Sequence, residues 1–201
     1  MERIGVLALQ GDFAEHICVL EKLGVEAREV RVTGEIDGLD GLIVPGGEST
    51  TMVRLIDLFS LRQRLVQFAR SGAALWGTCA GMILLGNTII AEGLQPLRLI
   101  DVDVKRNAYG RQVDSFEANL DMPVLGGPPF RGVFIRAPII EKVGRGVEVL
   151  ARLPNGNPVA ARQHNLLVSS FHPELTSDVR FHGYFVKLAR ARSEETNVAT
   201  T

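Results

Sequence analysis

Apolar and polar positions along the chain fall into blocks whose period switches between strand-like and helix-like values. Residues 3–9 (RIGVLAL) form a nearly unbroken apolar run that stops at Gln10-Gly11-Asp12, the pattern of a strand buried on both faces. Asp12 can cap a following helix in which Phe13, Ile17, Leu20 and Leu23 recur at helical spacing, with Gly24 as its stop. Residues 25–32 alternate like a half-buried strand, and 41–44 (GLIV) predict a short buried one ending at Pro45-Gly46-Gly47. Helical spacing runs through 51–70 with a break near Leu58–Leu61. A strand at 73–76 (AALW) leads into Gly77-Thr78-Cys79-Ala80-Gly81 and an apolar helix through Leu85. Strands alternating with helices imply βαβ units and a parallel sheet covered on both faces. From about 98 to 170 the pattern changes to short β-like pieces (98–104, 132–136, 147–152, 158–162, 166–171) between Gly/Pro turns. They predict antiparallel additions to the sheet or a ribbon beside it. Residues 178–192 read as a last helix and 193–201 as a polar, flexible tail. The expected fold is a three-layer α/β domain over 1–192, with a mostly parallel central sheet and some antiparallel strands in its C-terminal half.

Composition narrows the function classes. A chain of 201 residues, 46% apolar and 22% charged, supports one well-packed core without disulfides or metals. Lys plus Arg number 22 and Asp plus Glu 23, a net charge of −1, so charge supplies no reason to expect nucleic acid or an anionic membrane as partner. No run of 18 apolar residues or secretory leader is visible, and the two cysteines form no CxxC. A reducing cytoplasm is the expected setting, with no metal site and no cofactor.

Candidate chemistry collects where the proposed strands end, the edge at which open α/β sheets bind ligands. The small residues around Cys79 permit a sharp strand-to-helix turn that projects the thiol, the logic of a nucleophile elbow. A helix N-terminus favours thiolate there and aims the Ala80 amide at a developing oxyanion. Cys18, inside the first helix, is expected to pack as a small hydrophobe. A thiolate nucleophile needs a proton-handling partner. Among the four histidines, His172 stands in Ser-Phe-His-Pro-Glu, and in an extended segment Glu174 shares its side and can hold its tautomer. His16 and His164 are expected to be solvated and His182 to pack on the last helix. The glycines of Pro45-Gly46-Gly47 let backbone approach a substrate closely and suit a second oxyanion donor. GK[ST] does not follow them and GxGxxG is absent, which excludes a P-loop and the dinucleotide fingerprint.

PGGEST (45–50), GTCAG (77–81) and HPE (172–174), in this order, resemble the class I (triad) glutamine amidotransferases, whose fold is flavodoxin-like. LALQGDFAEH (7–16), RNAYGRQ (106–112), DSF (114–116), FIRAP (134–138) and HPEL (172–175) are similar, more narrowly, to the glutaminase subunits of pyridoxal 5′-phosphate synthase, and the likeness spans about residues 3–190. The resemblance implies that Cys79 attacks the side-chain amide of L-glutamine and that His172, oriented by Glu174, moves the protons. It implies an oxyanion hole from the Gly47 and Ala80 amides, and glutamine contacts from Gly47, Glu48, Ser49, Arg106, Ile135 and Arg136. It also implies a (β/α)8-barrel synthase partner, whose docking reorients backbone at Gln10-Gly11 to complete the oxyanion hole. One physical point supports a partner independently: ammonia must reach an acceptor before it takes up a proton, and this chain has no room for a second catalytic domain. The glutaminase component of imidazole glycerol phosphate synthase, a catalytically silent binding protein, and a cysteine hydrolase or chaperone-like protein with a similar elbow stay open as alternatives.

Overall fold

A computed structural model of the chain describes residues 2–88, 90, 93–106 and 115–198. Its centre is a seven-stranded sheet built from β1 (Arg3–Leu7), β2 (Glu26–Val30), β3 (Gly41–Val44), β4 (Ala74–Thr78), β9 (Glu148–Arg152), β10 (Pro158–Gln163) and β11 (Leu166–Ser169). The spatial order is β2-β1-β3-β4-β11-β10-β9. The first five strands of that order run parallel; β10 pairs antiparallel with β11 and with β9, so β10 alone is reversed in the sheet. The remaining strands, β5 (Val102–Lys105), β6 (Ser115–Leu120), β7 (Phe130–Ile135) and β8 (Ile139–Val143), pair as two antiparallel ribbons, β5-β8 and β6-β7. Both expectations for the C-terminal half are therefore met, one by each set of strands. β6 and β8 carried no sequence expectation: SFEANL and IIEKV are half-exposed ribbon strands without the unbroken apolar run of the central strands.

The helices are α1 (Phe13–Lys22), α2 (Ser49–Leu58), α3 (Leu61–Arg70), α4 (Ala80–Leu85) and α5 (Arg180–Val198). The expected break at 58–61 is real: Ser60 adopts a left-handed conformation between α2 and α3. α5 continues to Val198, past the expected end at 192. Helices lie on both faces of the sheet, which explains the continuous apolar strands. Leu42 and Val44 join Leu75 and Val168 in the core under α2, α3 and α4, whereas Ile43, Trp76 and Leu167 enter the opposite core with Leu20 of α1 and Phe181 and Phe185 of α5. The three-layer, mostly parallel fold is as the sequence implies.

The strand order sets the site. β1 leads outward to β2 and the chain then returns to β3 on the other side of β1, so the connections after β1 and β3 diverge at a topological switch point, where such sheets open a crevice. The two connections meet there: the Asp12 amide donates to Gly46 O at 3.3 Å. Next in the sheet, β4 pairs with β11 in register Thr78↔Ser169, and the Cys79 amide donates to Ser169 O at 2.8 Å. This parallel pairing brings residues 79 and 172 to one rim.

Candidate active site

Cys79 sits between β4 and α4 with φ 45° and ψ −103°, a conformation that costs an ordinary residue about 1–3 kcal/mol. Surrounding packing holds it there. A Cβ at Gly81 would stand 2.0 Å from Val44 O, so α4 lies directly on the end of β3 and only glycine fits. The GTCAG segment is small because backbone meets backbone on either side of the bend. Cys79 is 7% exposed, and its Sγ lies 4.0 Å from Ile135 O.

Three residues after β11, the His172 amide donates to Val133 O at 2.8 Å, tying the turn to β7. Glu174 Oε1 accepts from His172 Nδ1 at 2.7 Å. The expected contact is present, but its geometry differs from the extended segment expected. Pro173–Leu175 form a single 3-10 turn with Pro173 at its first position, and this turn folds the carboxylate back to the ring.

Asp12 was expected to cap α1. Its side chain makes no cap hydrogen bond; Oδ2 lies 3.3 Å from His172 Nδ1 instead, so two carboxylates face one ring nitrogen. Burial opposes protonation of His172, but hydrogen bonds with Asp12, Cys79 and Glu174, with the charge on Cys79, push its pKa up to about 12. The hydrogen bond from His172 holds Asp12 below its ordinary value. Burial pushes the Glu174 carboxyl up, against the pull of the same imidazole. Asp12, His172 and Glu174 form the one cluster among the described residues with metal-ligand spacing, their ligand atoms within 4.8 Å of one another. Both carboxylates address the imidazole N–H, which makes the cluster a proton-holding one.

Cys79 and His172 open on a cleft of about 490 Å³, within the range of small-molecule sites. Gly47, Glu48, Ser49, Ala80, Arg106, Ile135 and Arg136 line it, as expected, and Asp12, Ile83 and Pro138 line it unexpectedly. The Glu48 carboxylate caps α2, accepting from the amides of Thr50 at 3.0 Å and Thr51 at 2.6 Å. Burial alone would raise it, but those amides hold it at about 2. Arg106 lies 3.3 Å from Glu48 Oε1 and donates to Ile90 O at 2.8 Å, placing a guanidinium beside the helix cap. The rest of the 106–112 motif, and Asp114, lie outside the described residues.

Gln10 and Gly11 do not line the cleft. The Gln10 amide brackets Glu48 backbone, its Oε1 3.3 Å from Glu48 N and its Nε2 3.4 Å from Glu48 O. Gly11, at φ +89°, backs onto the Gly46 carbonyl so closely that a Cβ would stand 1.7 Å from it. Both residues brace the Pro45-Gly46-Gly47 loop from behind.

His16 corrects the sequence reading most clearly. It is fully buried rather than solvated. Its position was legible: residues 16, 19, 20 and 23 form a helical stripe, and Val19 and Leu20 are buried with it, while Phe13 and Ile17 are only partly covered. Counting a histidine as polar rotates the inferred face. His182 is buried, as expected, and His164 occupies an exposed left-handed turn. Cys18 is exposed on α1, not packed.

Comparison with known proteins finds relatives over nearly the whole chain. The model of the SNO glutamine amidotransferase family matches residues 6–191. A protein of Dehalococcoides mccartyi named pyridoxal 5′-phosphate synthase subunit PdxT is 55% identical over 190 residues, covering 94% of this chain and 97% of that protein. A Herpetosiphon aurantiacus protein of the same name is 54% identical over 188 residues, covering 92% and 99%. A crystal structure titled glutamine amidotransferase superposes with a TM-score of 0.87 at 49% identity, covering 92% of this chain and 98% of that one. A Thermoplasma acidophilum protein whose crystal structure is named for GMP synthase, at 17% identity and a TM-score of 0.72 over 98% of each chain, shares the fold.

Proposed function

The chain belongs to the SNO glutamine amidotransferase family, and from that premise we propose that Cys79, His172 and Glu174 hydrolyse L-glutamine to glutamate and ammonia for pyridoxal 5′-phosphate synthesis. The observation that carries this reading is the strained Cys79 turn, opening on the same cleft as a buried imidazole whose far nitrogen is held by carboxylate.

Because Nδ1 is committed to Glu174 and Asp12, the mobile proton of His172 belongs to Nε2. The Cys79 thiolate attacks the side-chain carbonyl carbon of glutamine. Charge builds on the carbonyl oxygen, where the Ala80 and Gly47 amides serve as donors; losing one such donor typically costs about 10²–10³ in rate. The imidazolium gives its Nε2 proton to the departing nitrogen and ammonia leaves. Acylation removes the negative charge on Cys79, and with it part of what raises the His172 pKa. The ring then becomes a usable base at the step that needs one. It takes a proton from water, the resulting tetrahedral intermediate collapses, and Cys79 thiolate and glutamate are released. Arg106 suits the α-carboxylate of glutamine, since its fork can bond two oxygens.

The ammonia passes to a synthase partner, a (β/α)8 barrel in this reading, and docking acts through the Gln10-Gly11 brace on the loop that carries Gly47. No described helix is long and apolar enough to cross a membrane, and a cytoplasmic setting fits a free thiol nucleophile. The names of the relatives favour this partner over that of imidazole glycerol phosphate synthase. The test is glutamine hydrolysis by this chain with and without the synthase partner of pyridoxal 5′-phosphate formation, in wild type and Cys79→Ala. Weak activity alone, a large gain with the partner and none in the variant support the reading. Activity that survives Cys79→Ala refutes it.

A further inference from the structure

Behind the triad lies a set of buried polar groups that the reaction leaves unused. Glu174 is 6% exposed, and its second oxygen, Oε2, has no hydrogen bond among the described residues. That oxygen faces His16 of α1, whose Nε2 is 3.4 Å away and also 3.3 Å from Thr78 Oγ1, the residue before the nucleophile. His16 Nδ1 is 2.9 Å from His182 Nε2 of α5. Both imidazoles are fully buried, and both pack near the Trp76 ring, with centroids 5.7 and 5.0 Å away. His182 Nδ1 has no partner among the described residues. Burial, then the neighbouring histidines, holds His16 well below its ordinary pKa, and burial alone takes His182 down to about 3, so both rings are neutral.

A neutral imidazole carries one N–H, so the pair has two arrangements. In one, His16 donates from Nδ1 to His182. The proton of His182 is then on its unpartnered Nδ1, and His16 turns a lone pair toward the Glu174 carboxylate. That arrangement strands a buried donor and sets lone pair against anion, two costs at once. In the other, His182 donates from Nε2 to His16 Nδ1, and His16 carries its proton on Nε2, toward Thr78 and Glu174. Only a bare lone pair on His182 then goes unused. The second arrangement wins, and it places the His16 N–H on the nitrogen that bonds Thr78 Oγ1 and lies 3.4 Å from the carboxylate. No lysine or arginine among the described residues pairs with Glu174; its charge is faced by His172, by His16 and, repulsively, by Asp12.

We propose that His16 is a positioning residue for the triad: its Nε2–H, fixed in that tautomer by His182, supports Glu174 on the side away from His172 and keeps the carboxylate ionised and aligned. The proposal rests on the glutaminase reading and adds to it two residues, in the first and last helices, that never touch substrate.

The test is glutamine hydrolysis by this chain in complex with its synthase partner, followed from about pH 5 to about pH 9 as kcat and KM. In His16→Leu the Glu174 carboxylate loses the N–H dipole 3.4 Å from its Oε2. The acid limb of kcat/KM should move up by about half to one pH unit, and kcat at neutral pH should fall about two- to fivefold, with KM little changed. The loss stays below the roughly tenfold expected when Glu174 itself is neutralised while Asp12 still faces the ring. His16→Gln sets an amide N–H at a reach similar to that of imidazole Nε2 and should restore both readouts. His182→Phe keeps the ring volume but frees the tautomer, and should shift the acid limb the same way by less. A purely structural His16 gives the reverse order, with leucine tolerated in the apolar surroundings and glutamine harmful. That order, or an unmoved acid limb in His16→Leu, overturns the proposal. If His16→Leu does not fold, His182→Phe decides: a shifted limb supports the proposal and an unshifted one overturns it. A wild-type complex inert toward glutamine overturns the glutaminase reading, and this inference with it.

Discussion

Two carboxylates on one imidazole nitrogen make a quantitative prediction. Glu174 is buried and 2.7 Å from His172 Nδ1, a charge-assisted hydrogen bond of about 1.5–3 kcal/mol. Glu174→Gln keeps the shape, and its amide oxygen still accepts from Nδ1–H, but a neutral bond is worth about 0.5–1.5 kcal/mol. The difference, about 1–1.5 kcal/mol, lowers the His172 pKa by about one unit. Asp12 Oδ2 is farther, at 3.3 Å, and its side chain is 40% exposed, so solvent screening limits it to about 0.2–1 kcal/mol. With Glu174 intact, Asp12→Asn should therefore cost less than about fivefold in kcat. Glu174→Gln should cost about tenfold, well short of the ~10⁴ lost when a triad depends on a single carboxylate, because Asp12 still faces the ring. The double variant should lose more than the product of the two single losses, since each carboxylate covers for the other. Glutamine hydrolysis by the synthase complex gives the rates, and an NMR titration of the His172 ring gives the pKa changes. Asp12→Asn silent in both backgrounds, or Glu174→Gln alone already down ~10⁴, refutes the shared-nitrogen argument.

Other outcomes follow from the same geometry. Gly11→Ala puts a Cβ 1.7 Å from Gly46 O at φ +89° and must displace the loop that carries Gly47. Complex-dependent glutamine hydrolysis should fall at least ~100-fold, the typical cost of one oxyanion donor, and the strained alanine should also lower the melting temperature; full activity would contradict the bracing role. Arg106→Ala should raise KM for glutamine about 10–100-fold with kcat nearly intact, the value of a charged hydrogen bond, and an unchanged KM would remove Arg106 from substrate binding. His16 and His182 stay neutral in the fold at pH values where the unfolded chain protonates them. Their contribution is whole above about pH 6.5 and is lost as pH falls toward the folded values, about 3 for His182, at up to about 1.4 kcal/mol per pH unit each. His172 acts oppositely and elsewhere: its raised pKa gives stability that is whole below about pH 6.5 and lost as pH rises through about 12. Urea unfolding between about pH 7 and pH 4 should show the acid-side decline, and His182→Phe should flatten it; an equal slope in that variant would contradict the assignment.

The parallel core and the elbow were legible because their patterns are local. An apolar run ending in small residues reads the same in sequence and in space, as at β3 with Pro45 and β4 with Cys79. The His172–Glu174 contact was legible because two residues separate its partners, although a 3-10 turn, not an extended strand, delivers it. What was missed depends on distant segments. Asp12 looks like a helix cap until the β1–β3 crevice turns it toward an imidazole 160 positions away. His16 needed the helix phase from the buried stripe, and its partners come from β4, α5 and the HPE turn. The ribbons β5-β8 and β6-β7 were only partly visible because their strands alternate weakly and depend on each other for pairing.

The thiol assignment can be tested on the protein chemically. The chain is incubated, with its synthase partner, with a glutamine analogue that carries an electrophile at the amide position, and is then mapped by peptide mass. One adduct on Cys79, blocked by glutamine and absent from exposed Cys18, is the result expected of a nucleophile held at the β4–α4 bend. Label on Cys18 alone, or glutamine turnover that continues once Cys79 is fully alkylated, would contradict it.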